Sequence, residues 1–521
     1  MQRDRVIIIG AGIGGLSAAA ILSARGFDVC VVERGLAPGG KMREIKLGDK
    51  AIDAGPTVFT MRWVFDQIFA DAGADFADHV VLQPLDILAR HAWDGQARLD
   101  LFADQAASVD AIGVFSGAAE ARRYAKFCDD ARLTYQTLEG SFLKNSRTNP
   151  IGLMARIGVT RLSNIMSIRP HASLWNALGR YFHDPRLQQL FGRYATYSGS
   201  SPYLAPATLM LIAHVEQSGV WSVQGGMHRV AVALEQLAVR HGARFIYGAD
   251  CAEILTRNGR ASGIKLASGD VIAADHIIAN CDPSAIGSGL MGSAVTRAVA
   301  VTPYKARSLS AFCWVIDGVT SGFPLSRHNV FFSDNYAAEF EDILGRDQVP
   351  KNPTIYICAQ DREQAGLAFA GGAERLQIIV NAPASGDRRA FSQSELDQCQ
   401  MTMFAHLKNC GLTIKAPPAA VHLTTPAGFN QLFPASGGAL YGRASHGWAA
   451  AFQRPGARSK IPGLYLAGGA THPGAGVPMA ALSGRQAAES LLADRALTRP
   501  FHPVVTSGGI SMPSARTGVS G

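Results

Sequence analysis

The chain has 521 residues, of which 47% are hydrophobic and 17% charged, with a formal net charge of +8. This length exceeds what one hydrophobic core usually supports and predicts two or more lobes. No run of about 18 apolar residues is present, so a membrane-spanning helix is not expected. The N-terminal run leads into glycines rather than into a cleavage region, which argues against a signal peptide. Eight scattered cysteines without a CxxC motif favour reduced thiols in a cytoplasmic protein with no metal site, and no nucleic-acid-binding module accompanies the positive charge.

The first motif follows an apolar run at residues 5–9. Gly10, Gly12 and Gly15 form a GxGxxG pattern, and the next apolar run, DVCVV, ends at Glu33. A strand, a glycine turn, a helix, a second strand and an acid in this order predict a βαβ unit. Such a unit places a pyrophosphate at a helix N-terminus and a carboxylate on a ribose hydroxyl. In it Gly12 lets the pyrophosphate approach the backbone, and Gly15 allows the helix to pack closely on the strand. A glycine-rich turn that binds nothing is the alternative.

The acid and the residues after it bear on which dinucleotide is bound. Glu33 favours a free ribose, as in FAD or NAD. Arg34 could bind the 2′-phosphate of NADP, but the carboxylate of Glu33 would repel that phosphate. The segments APGGKMR (37–43) and DAGPT (53–57) add glycines and cations that suit a phosphate, although GGK is also a common surface turn. This succession resembles the N-terminal pattern of the amine-oxidase and phytoene-desaturase flavoproteins, in which FAD lies extended near such glycines. The resemblance implies FAD.

The middle of the chain indicates how the lobes are connected. The α/β rhythm is lost after about residue 90 and returns near Trp221 with WSVQGGMHRV. A strand then runs into Asn280, and such strand ends at the carboxyl edge of a parallel sheet usually bind ligands. We therefore predict an α/β, Rossmann-like FAD-binding flavoprotein fold of the amine-oxidase type with an inserted α+β substrate lobe. The expected segments are 1–90, 215–290 and 425–497 for the FAD-binding domain, 91–214 and 291–424 for the substrate lobe, and 498–521 for a flexible tail.

The second motif closes the chain at residues 461–492, which read IPGLYLAGGATHPGAGVPMAALSGRQAAESLL. A buried strand, a turn with four glycines and a helix again present bare backbone amides to a ligand, whereas a simple helix cap needs only one glycine. In a flavoprotein the ligand at this end is the isoalloxazine ring with its ribityl chain. A helix N-terminus near the flavin N1–C2=O group would stabilise the reduced anion.

This closing motif resembles the C-terminal signature of the bacterial-type carotenoid desaturases, the phytoene desaturase family. Together with the N-terminal motifs and WSVQGGMHRV, the resemblance covers both ends of the flavin domain. Three stretches look most like the 1-hydroxycarotenoid 3,4-desaturases of purple bacteria: GPTVFTMRWVFD, GGALYGRASHGWAAAFQRP and HPGAGVPMAALSGR. The resemblance implies an acyclic carotenoid substrate. It also implies FAD-dependent introduction of the C3–C4 double bond of a 1-hydroxycarotenoid by hydride transfer and proton loss.

The chemistry limits what the protein must supply. Hydride loss from an allylic carbon leaves a delocalised cation that makes the neighbouring proton acidic, so no strongly activated base is needed. No Ser-His-Asp, metal or paired-carboxylate set stands out in the sequence. The candidates near the flavin ring are His472, Arg443 and His446, and His472 is expected to position its loop more than to accept a proton. The residues expected to bind FAD are Gly10, Gly12, Gly14, Gly15, Glu33, Arg34, Gly40, Lys41, Gly55, Pro56, Thr57, Cys251, Asn280, Gly468, Gly469, Val477, Pro478 and Met479.

Residues 140–183 contain no Asp or Glu but six cations: Lys144, Arg147, Arg156, Arg161, Arg169 and Arg180. Such a basic and apolar stretch suits an anionic membrane surface. The apolar residues expected to insert include Leu153, Met154, Ile165 and Trp175. An ordinary helical lobe with solvated arginines is the alternative. We expect a cytoplasmic protein attached peripherally to the inner or photosynthetic membrane. Its electron acceptor would be oxygen or a quinone, since no second dinucleotide motif is present.

Three other functions are compatible with parts of this sequence. Phytoene or neurosporene desaturation would use the same machinery. An amine or protoporphyrinogen oxidase is less favoured, because an amine substrate calls for an aromatic cage that the sequence does not indicate. A cofactor-free lipid-binding chaperone of the GDP-dissociation-inhibitor type would not need the intact glycine motifs and Glu33.

Overall fold

The computed structural model describes residues 3–94, 97–146, 171–362, 369 and 371–498. In chain order its strands are β1 Arg5–Ile9, β2 Asp28–Glu33, β3 Glu44–Leu47, β4 Lys50–Asp53, β5 Leu82–Pro84, β6 Ile87–Ala92, β7 Arg98–Phe102, β8 Trp221–Val223, β9 Arg244–Tyr247, β10 Cys251–Arg257, β11 Arg260–Leu266, β12 Val271–Ala273, β13 His276–Ala279, β14 Ser310–Gly322, β15 His328–Phe331, β16 Ile355–Ala359, β17 Ala373–Ala382, β18 Leu412–Lys415, β19 Val421–Thr424 and β20 Leu464–Leu466.

The α-helices of the described residues alternate with these strands in the first lobe and gather in the second. In chain order they are α1 Ile13–Ala24, α2 Arg62–Asp71, α3 Gln105–Ser116, α4 Ala118–Leu138, α5 Leu174–Tyr181, α6 Pro185–Gly192, α7 Leu211–Gln217, α8 His228–Arg240, α9 Pro283–Gly287, α10 Tyr336–Phe340, α11 Gln393–Asn409, α12 Pro426–Leu432 and α13 Val477–Thr498.

A parallel sheet of five strands, in the order β20-β13-β1-β2-β9, forms the centre of the first lobe. Its strands come from three stretches of the chain that lie far apart in sequence. The central strand β1 reads RVIII and is buried, as expected for a parallel strand covered on both faces. It pairs with β2 on one side and with β13 on the other, so the strand order reverses at β1. Ligands of open α/β sheets bind at the carboxyl edge beside such a reversal.

Two helices meet on this sheet without side chains between their backbones. The helix α1 is rich in Ala and Gly and is buried over nearly its whole length. A Cβ atom added at Gly484 of α13 would lie 1.9 Å from the carbonyl oxygen of Gly14, so these helices cross in direct backbone contact. A Cβ atom at Gly14 would likewise lie 2.8 Å from the amide nitrogen of Gly468. The first and last motifs of the chain therefore converge at one point.

A large mixed sheet, ordered β18-β14-β17-β16-β15-β6-β7 with β19 paired to β14, forms the second lobe. Its strands come from residues 87–102 and 310–424, and one face packs on α11, where Met403 and Leu407 are fully buried. A separate apolar core joins α4, α6 and the neighbouring helices around Phe127 and Phe191. The second lobe thus combines a sheet with a helical layer, which agrees with an α+β insertion. The exact domain boundaries stay a prediction.

The basic and apolar segment at 140–183 is described only at its two ends. Leu153, Met154, Arg156, Arg161, Ile165 and Arg169 lie outside the described residues. Trp175 is described and half-buried, with its ring centroid 4.7 Å from that of Tyr203 and 6.0 Å from that of Tyr336. Trp175 is therefore a packing residue of the second lobe rather than an inserting one. Among the described helices, none is long and apolar enough to cross a membrane.

Candidate active site

One continuous cavity of about 1100 Å³ begins at the carboxyl edge of the parallel sheet and extends into the second lobe. Ligand pockets usually measure about 300–1,000 Å³, so this cavity is slightly larger than that range. The residues predicted to bind FAD line it, with one exception. The exception is Gly15, where an added Cβ atom would lie 2.2 Å from the carbonyl oxygen of Gly10, so Gly15 serves the packing of helix on strand.

The glycine motifs form a cradle around Asn280. The Asn280 side chain donates from Nδ2 to the carbonyl oxygen of Gly10 at 3.0 Å. Added Cβ atoms at Gly12 and Gly468 would lie 2.9 and 3.0 Å from the same amide group. The strands β1, β13 and β20 end side by side, which brings Gly10, Asn280 and Gly468 to one edge. Asn280 therefore ties the first motif to the last.

Glu33 is placed as the ribose-binding acid requires. Its carboxylate is buried and accepts hydrogen bonds from the backbone amides of Ala11 at 2.7 Å and Gly35 at 2.6 Å. A carboxylate has about four lone-pair positions, so the two oxygens retain acceptor capacity toward the cavity that they line. Arg34 lines the same end of the cavity but is exposed. Cys251 is buried there, and burial raises the pKa of its thiol to about 12.

Two buried cations face this cavity. Lys41 donates from Nζ to the carbonyl oxygen of Leu440 at 2.7 Å, and burial lowers its pKa from 10.5 to about 8. Arg454 donates to the carbonyl oxygens of Tyr441 and Gly469, each at 3.0 Å, and burial lowers its pKa to about 10. Asp282 raises the pKa of both cations and also lines the cavity. Two cations beside one carboxylate leave an uncompensated positive charge, which fits a pyrophosphate.

Sequence reasoning missed Arg454. Its guanidinium is 7% exposed and binds the turn of the closing motif, although the residue lies in a loop without regular structure. The adjacent stretch GGALYGRASHGWAAAFQRP carried a family resemblance but gave no physical reason to single out this arginine. Arg43, the second cation of APGGKMR, is directed elsewhere and donates to Thr424 Oγ1 at 2.8 Å.

The closing motif lines the cavity with bare backbone. A Cβ atom added at Gly469 would meet no protein atom within 4 Å. Gly474 and Gly476 have φ angles of 142° and 111°, which side chains rarely allow. The first turn of α13, with Val477, Pro478 and Met479, follows at the cavity wall. This open wall and the helix terminus suit an electron-rich ring edge.

The segment with Gly55, Pro56 and Thr57 lines the opposite side, where the two lobes meet. Gln377 donates from Nε2 to the carbonyl oxygen of Gly55 at 2.9 Å, while its own Oε1 is buried without a partner among the described residues. Asp53 accepts a hydrogen bond from the amide of Met227 at 2.7 Å, just before α8 begins. The segment WSVQGGMHRV therefore packs against the cavity wall on the side away from the cavity.

The three candidates for catalysis do not line the cavity. The Nε2 atom of His472 lies 2.7 Å from the carbonyl oxygen of Asn145, so this nitrogen carries the proton, and burial lowers the pKa to about 4. His446 accepts at Nε2 from the amide of Ser201 at 3.1 Å, and burial lowers its pKa to about 4. The backbone oxygen of Arg443 accepts a hydrogen bond from the Arg454 side chain. The geometry favours a positioning role for His472, and a catalytic role for any of the three stays a prediction.

Beyond Thr57 and Phe142, apolar side chains from both lobes line the cavity. They include Leu138, Val58, Leu209, Ile212, Val215, Phe429, Phe433 and Phe452. Trp448 and Leu432 also line it and are 50% and 41% exposed. The cavity thus runs from a polar cradle shaped for a dinucleotide to an apolar chamber. The described residues therefore fit FAD, and the place of its ring stays a prediction.

Known proteins agree with this geometry. The flavin-containing amine oxidoreductase family matches residues 13–308 and 433–492. The chain is 52% identical to a hydroxyneurosporene desaturase of Rubrivivax gelatinosus, over 99% of both chains. It is 43% identical to a hydroxyneurosporene desaturase of Rhodobacter capsulatus, over 94% of this chain and 98% of that one. It is 30% identical to a 1-hydroxycarotenoid 3,4-desaturase of a Flavobacterium species, over 93% of this chain and 98% of that one.

Solved structures share the fold. An oxidoreductase from Methanosarcina mazei has a TM-score of 0.60 at 15% identity and covers 94% of this chain and 100% of its own. Putrescine oxidase, bound to putrescine, has a TM-score of 0.58 at 12% identity and covers 94% of this chain and 99% of its own. These matches confirm the predicted fold class, and the family match confirms the predicted flavin cofactor. The chain belongs to the flavin-containing amine oxidoreductase family and is an FAD-dependent oxidoreductase.

Proposed function

We propose that this enzyme desaturates an acyclic carotenoid and introduces the C3–C4 double bond of a 1-hydroxycarotenoid of the hydroxyneurosporene type. Three relatives that are 43–52% identical to the chain are named as hydroxyneurosporene desaturases, and one that is 30% identical is named as a 1-hydroxycarotenoid 3,4-desaturase. The observation that carries the proposal is the continuity of one cavity from the glycine cradle to an apolar chamber. A long hydrocarbon can enter such a chamber and present one end at the boundary.

FAD held in this cradle would supply a hydride acceptor, so that the allylic C4 of the substrate would lose a hydride, C3 would lose a proton and the two carbons would form the new double bond. Gly12 and Gly469 admit the cofactor, and Lys41 and Arg454 supply positive charge beside it. The apolar wall around Phe429 orients the chain and excludes water, which holds C4 in one position against the ring. The delocalised cation acidifies the C3 proton, so the chamber needs no strong base.

The test offers 1-hydroxyneurosporene and phytoene separately to the purified enzyme with FAD. Formation of a product with one more conjugated double bond from the hydroxylated substrate supports the proposal. Conversion of phytoene alone would instead place the enzyme in the phytoene-desaturating branch. A matched Gly469→Leu variant serves as the control, because its side chain would occupy the space next to the last motif, and it should be inactive with both substrates.

We further propose that the enzyme works while attached peripherally to the inner or photosynthetic membrane and passes electrons to oxygen or a quinone. A water-insoluble substrate must come from the bilayer. The exposed Trp448 and Leu432 place apolar surface at the cavity wall, and His171 packs on Trp448 with ring centroids 5.7 Å apart. In the sequence, His171 directly follows the part of the basic stretch that lies outside the described residues. Each exposed arginine near anionic lipid is worth about 1 kcal/mol.

Replacement of Arg156, Arg161 and Arg169 by Glu should reduce binding to anionic liposomes at low salt and slow turnover of membrane-embedded substrate, with FAD content unchanged. A second triple variant, with Glu at Arg122, Arg132 and Arg240, changes the charge equally on other surfaces and serves as the control. Equal liposome binding by the two triple variants would place the docking surface elsewhere.

A further inference from the structure

A polar cluster with a buried guanidinium lies inside the second lobe, at the wall of the largely apolar chamber. Its members are Arg193, Tyr197, Glu216, Tyr336 and Tyr356, and all five line the cavity. The Arg193 guanidinium lies 5.3 Å from the ring centroid of Tyr197 and 5.2 Å from that of Tyr356. An apolar chamber for a pure hydrocarbon has no use for a buried guanidinium and three phenols, because each buried polar group costs free energy unless it is paired.

The cluster is only partly satisfied by its own contacts. In the described part of the chain, the Arg193 guanidinium makes one hydrogen bond, from Nη1 to the hydroxyl of Tyr197 at 3.2 Å, and no ion pair within 4.0 Å. Glu216 accepts from the hydroxyl of Tyr194 at 2.8 Å. Tyr336 is only 5% exposed, and its buried hydroxyl has no hydrogen-bond partner among the described residues. Burial raises the pKa of Tyr336 well above its usual value, so this phenol keeps its proton and can donate.

We propose that this cluster is the subsite for the hydroxyl group of the substrate, with Tyr336 and Arg193 as hydrogen-bond donors to its oxygen and Glu216 as an acceptor nearby. This inference rests on the proposed function. Arg193 and Glu216 together carry no net charge, so the subsite suits a neutral group that both donates and accepts, rather than an anion. A tertiary alcohol fits this description, and an unsubstituted hydrocarbon end does not.

The position of the cluster agrees with the bond to be oxidised. The hydroxyl oxygen on C1 is separated from C3 by only two carbon–carbon bonds and one carbon–oxygen bond. At about 1.5 Å per bond it lies no more than about 4 Å from C3. The subsite must therefore border the place where the flavin acts. Tyr356 lies at this border, because its hydroxyl lies 2.6 Å from Oγ1 of Thr57, a residue predicted to bind FAD.

A substrate without the hydroxyl leaves these groups desolvated and unpaired. Sites that hydrogen-bond a substrate hydroxyl commonly reject the analogue that lacks it by about 10⁴–10⁵-fold. We expect this enzyme to prefer the hydroxylated chain strongly over the same chain without the hydroxyl. Loss of one neutral donor should lower that preference by about 10- to 100-fold.

The experiment lets 1-hydroxyneurosporene and neurosporene compete in one mixture and measures the ratio of their kcat/KM values. Tyr336→Phe should lower this ratio by about 10- to 100-fold, through the hydroxylated substrate alone, with FAD content unchanged. Tyr203→Phe is the matched control, because its ring packs 6.5 Å from that of Tyr336 but does not line the cavity. Arg193→Gln is a second test variant in case Tyr336→Phe does not fold.

The outcomes are distinct. A ratio unchanged in both test variants, or an equal loss for the two substrates, would overturn the hydroxyl subsite while leaving the proposed function intact. Failure of the parent enzyme to convert 1-hydroxyneurosporene, despite bound FAD, would overturn the proposed function and the subsite with it. A selective loss in Tyr336→Phe, absent in Tyr203→Phe, supports the subsite.

Discussion

Lys41 offers the sharpest test of the cofactor cradle, because its charge is unfavourable in the empty site and useful only once FAD is bound. Its pKa of about 8 in place of 10.5 reflects burial. At about 1.4 kcal/mol for each tenfold change in proton affinity, keeping Lys41 charged in the empty site costs at most about 3.4 kcal/mol. Because part of the side chain faces the water-filled cavity, about half of this is a fairer value.

The perturbation is Lys41→Met, which keeps the length of the side chain and removes its charge. Relief of the burial cost, about 1–2 kcal/mol, is partly offset by the lost hydrogen bond to Leu440, worth about 1 kcal/mol. The free energy of unfolding of the FAD-free protein should therefore stay within about 1 kcal/mol of the parent value. FAD binding should weaken much more, since a hydrogen bond to a charged group is worth about 1.5–3 kcal/mol, or about 10- to 150-fold in Kd.

The pH dependence of FAD affinity provides a second, independent test of the position of Lys41. Lys41 has a lowered pKa in the FAD-free fold, so the unfolded chain binds the proton more tightly, and this lysine destabilises the fold below about pH 8. FAD favours the charged form, so FAD affinity should be full below about pH 8 and fall as the pH rises above it. Titration of the FAD-free protein by flavin fluorescence, at pH values on both sides of 8, measures this directly.

Lys46→Met is the matched control, because Lys46 is exposed and close in sequence. In Lys41→Met the fall of FAD affinity above pH 8 should disappear, whereas in Lys46→Met it should persist. An FAD Kd in Lys41→Met equal to that of the parent, with the same pH dependence, would refute the placement of Lys41 beside the cofactor. A large loss of stability without FAD would show instead that Lys41 is a structural residue.

Three further predictions concern the motifs. Gly484→Ala should lower the free energy of unfolding by about 1–3 kcal/mol even with excess FAD, because its Cβ atom would lie 1.9 Å from the carbonyl oxygen of Gly14. Equal denaturation midpoints for the variant and the parent would contradict this. Gly469→Leu should fold normally but lose visible flavin absorption, and retention of full flavin content would be inconsistent with a cofactor at this wall. His472 has a pKa lowered to about 4, so the stability that it contributes should be full at pH 7 and be lost between about pH 6.5 and 4. In urea titrations, the free energy of unfolding of His472→Gln should fall less between about pH 6.5 and 4 than that of the parent. Turnover per bound flavin should be retained, and abolished turnover at full flavin content would make His472 catalytic.

Local patterns determined which segments would surround the cofactor. Glycines that follow an apolar strand and precede a helix have few other structural explanations, and strands of a parallel sheet end at one shared edge. For that reason Gly10, Glu33, Asn280 and Gly468 could be predicted to meet, and the structure brings them to one cavity. The loss of the α/β rhythm near residue 90 similarly indicated an inserted lobe.

Tertiary structure alone decided which side chains point into the cavity. His472, Arg443 and His446 were candidates for catalysis, yet the rings of His472 and His446 bond to backbone groups beside the cavity, and none of the three residues lines it. Arg454 gave no signal in the sequence, because its partners are backbone carbonyls up to 15 residues away. The cluster of Arg193 with Tyr336 and Tyr356 joins a helical segment to a distant sheet. Local periodicity reports burial within one element, whereas the direction of a side chain in an irregular loop and the meeting of distant elements depend on the packing of the whole chain.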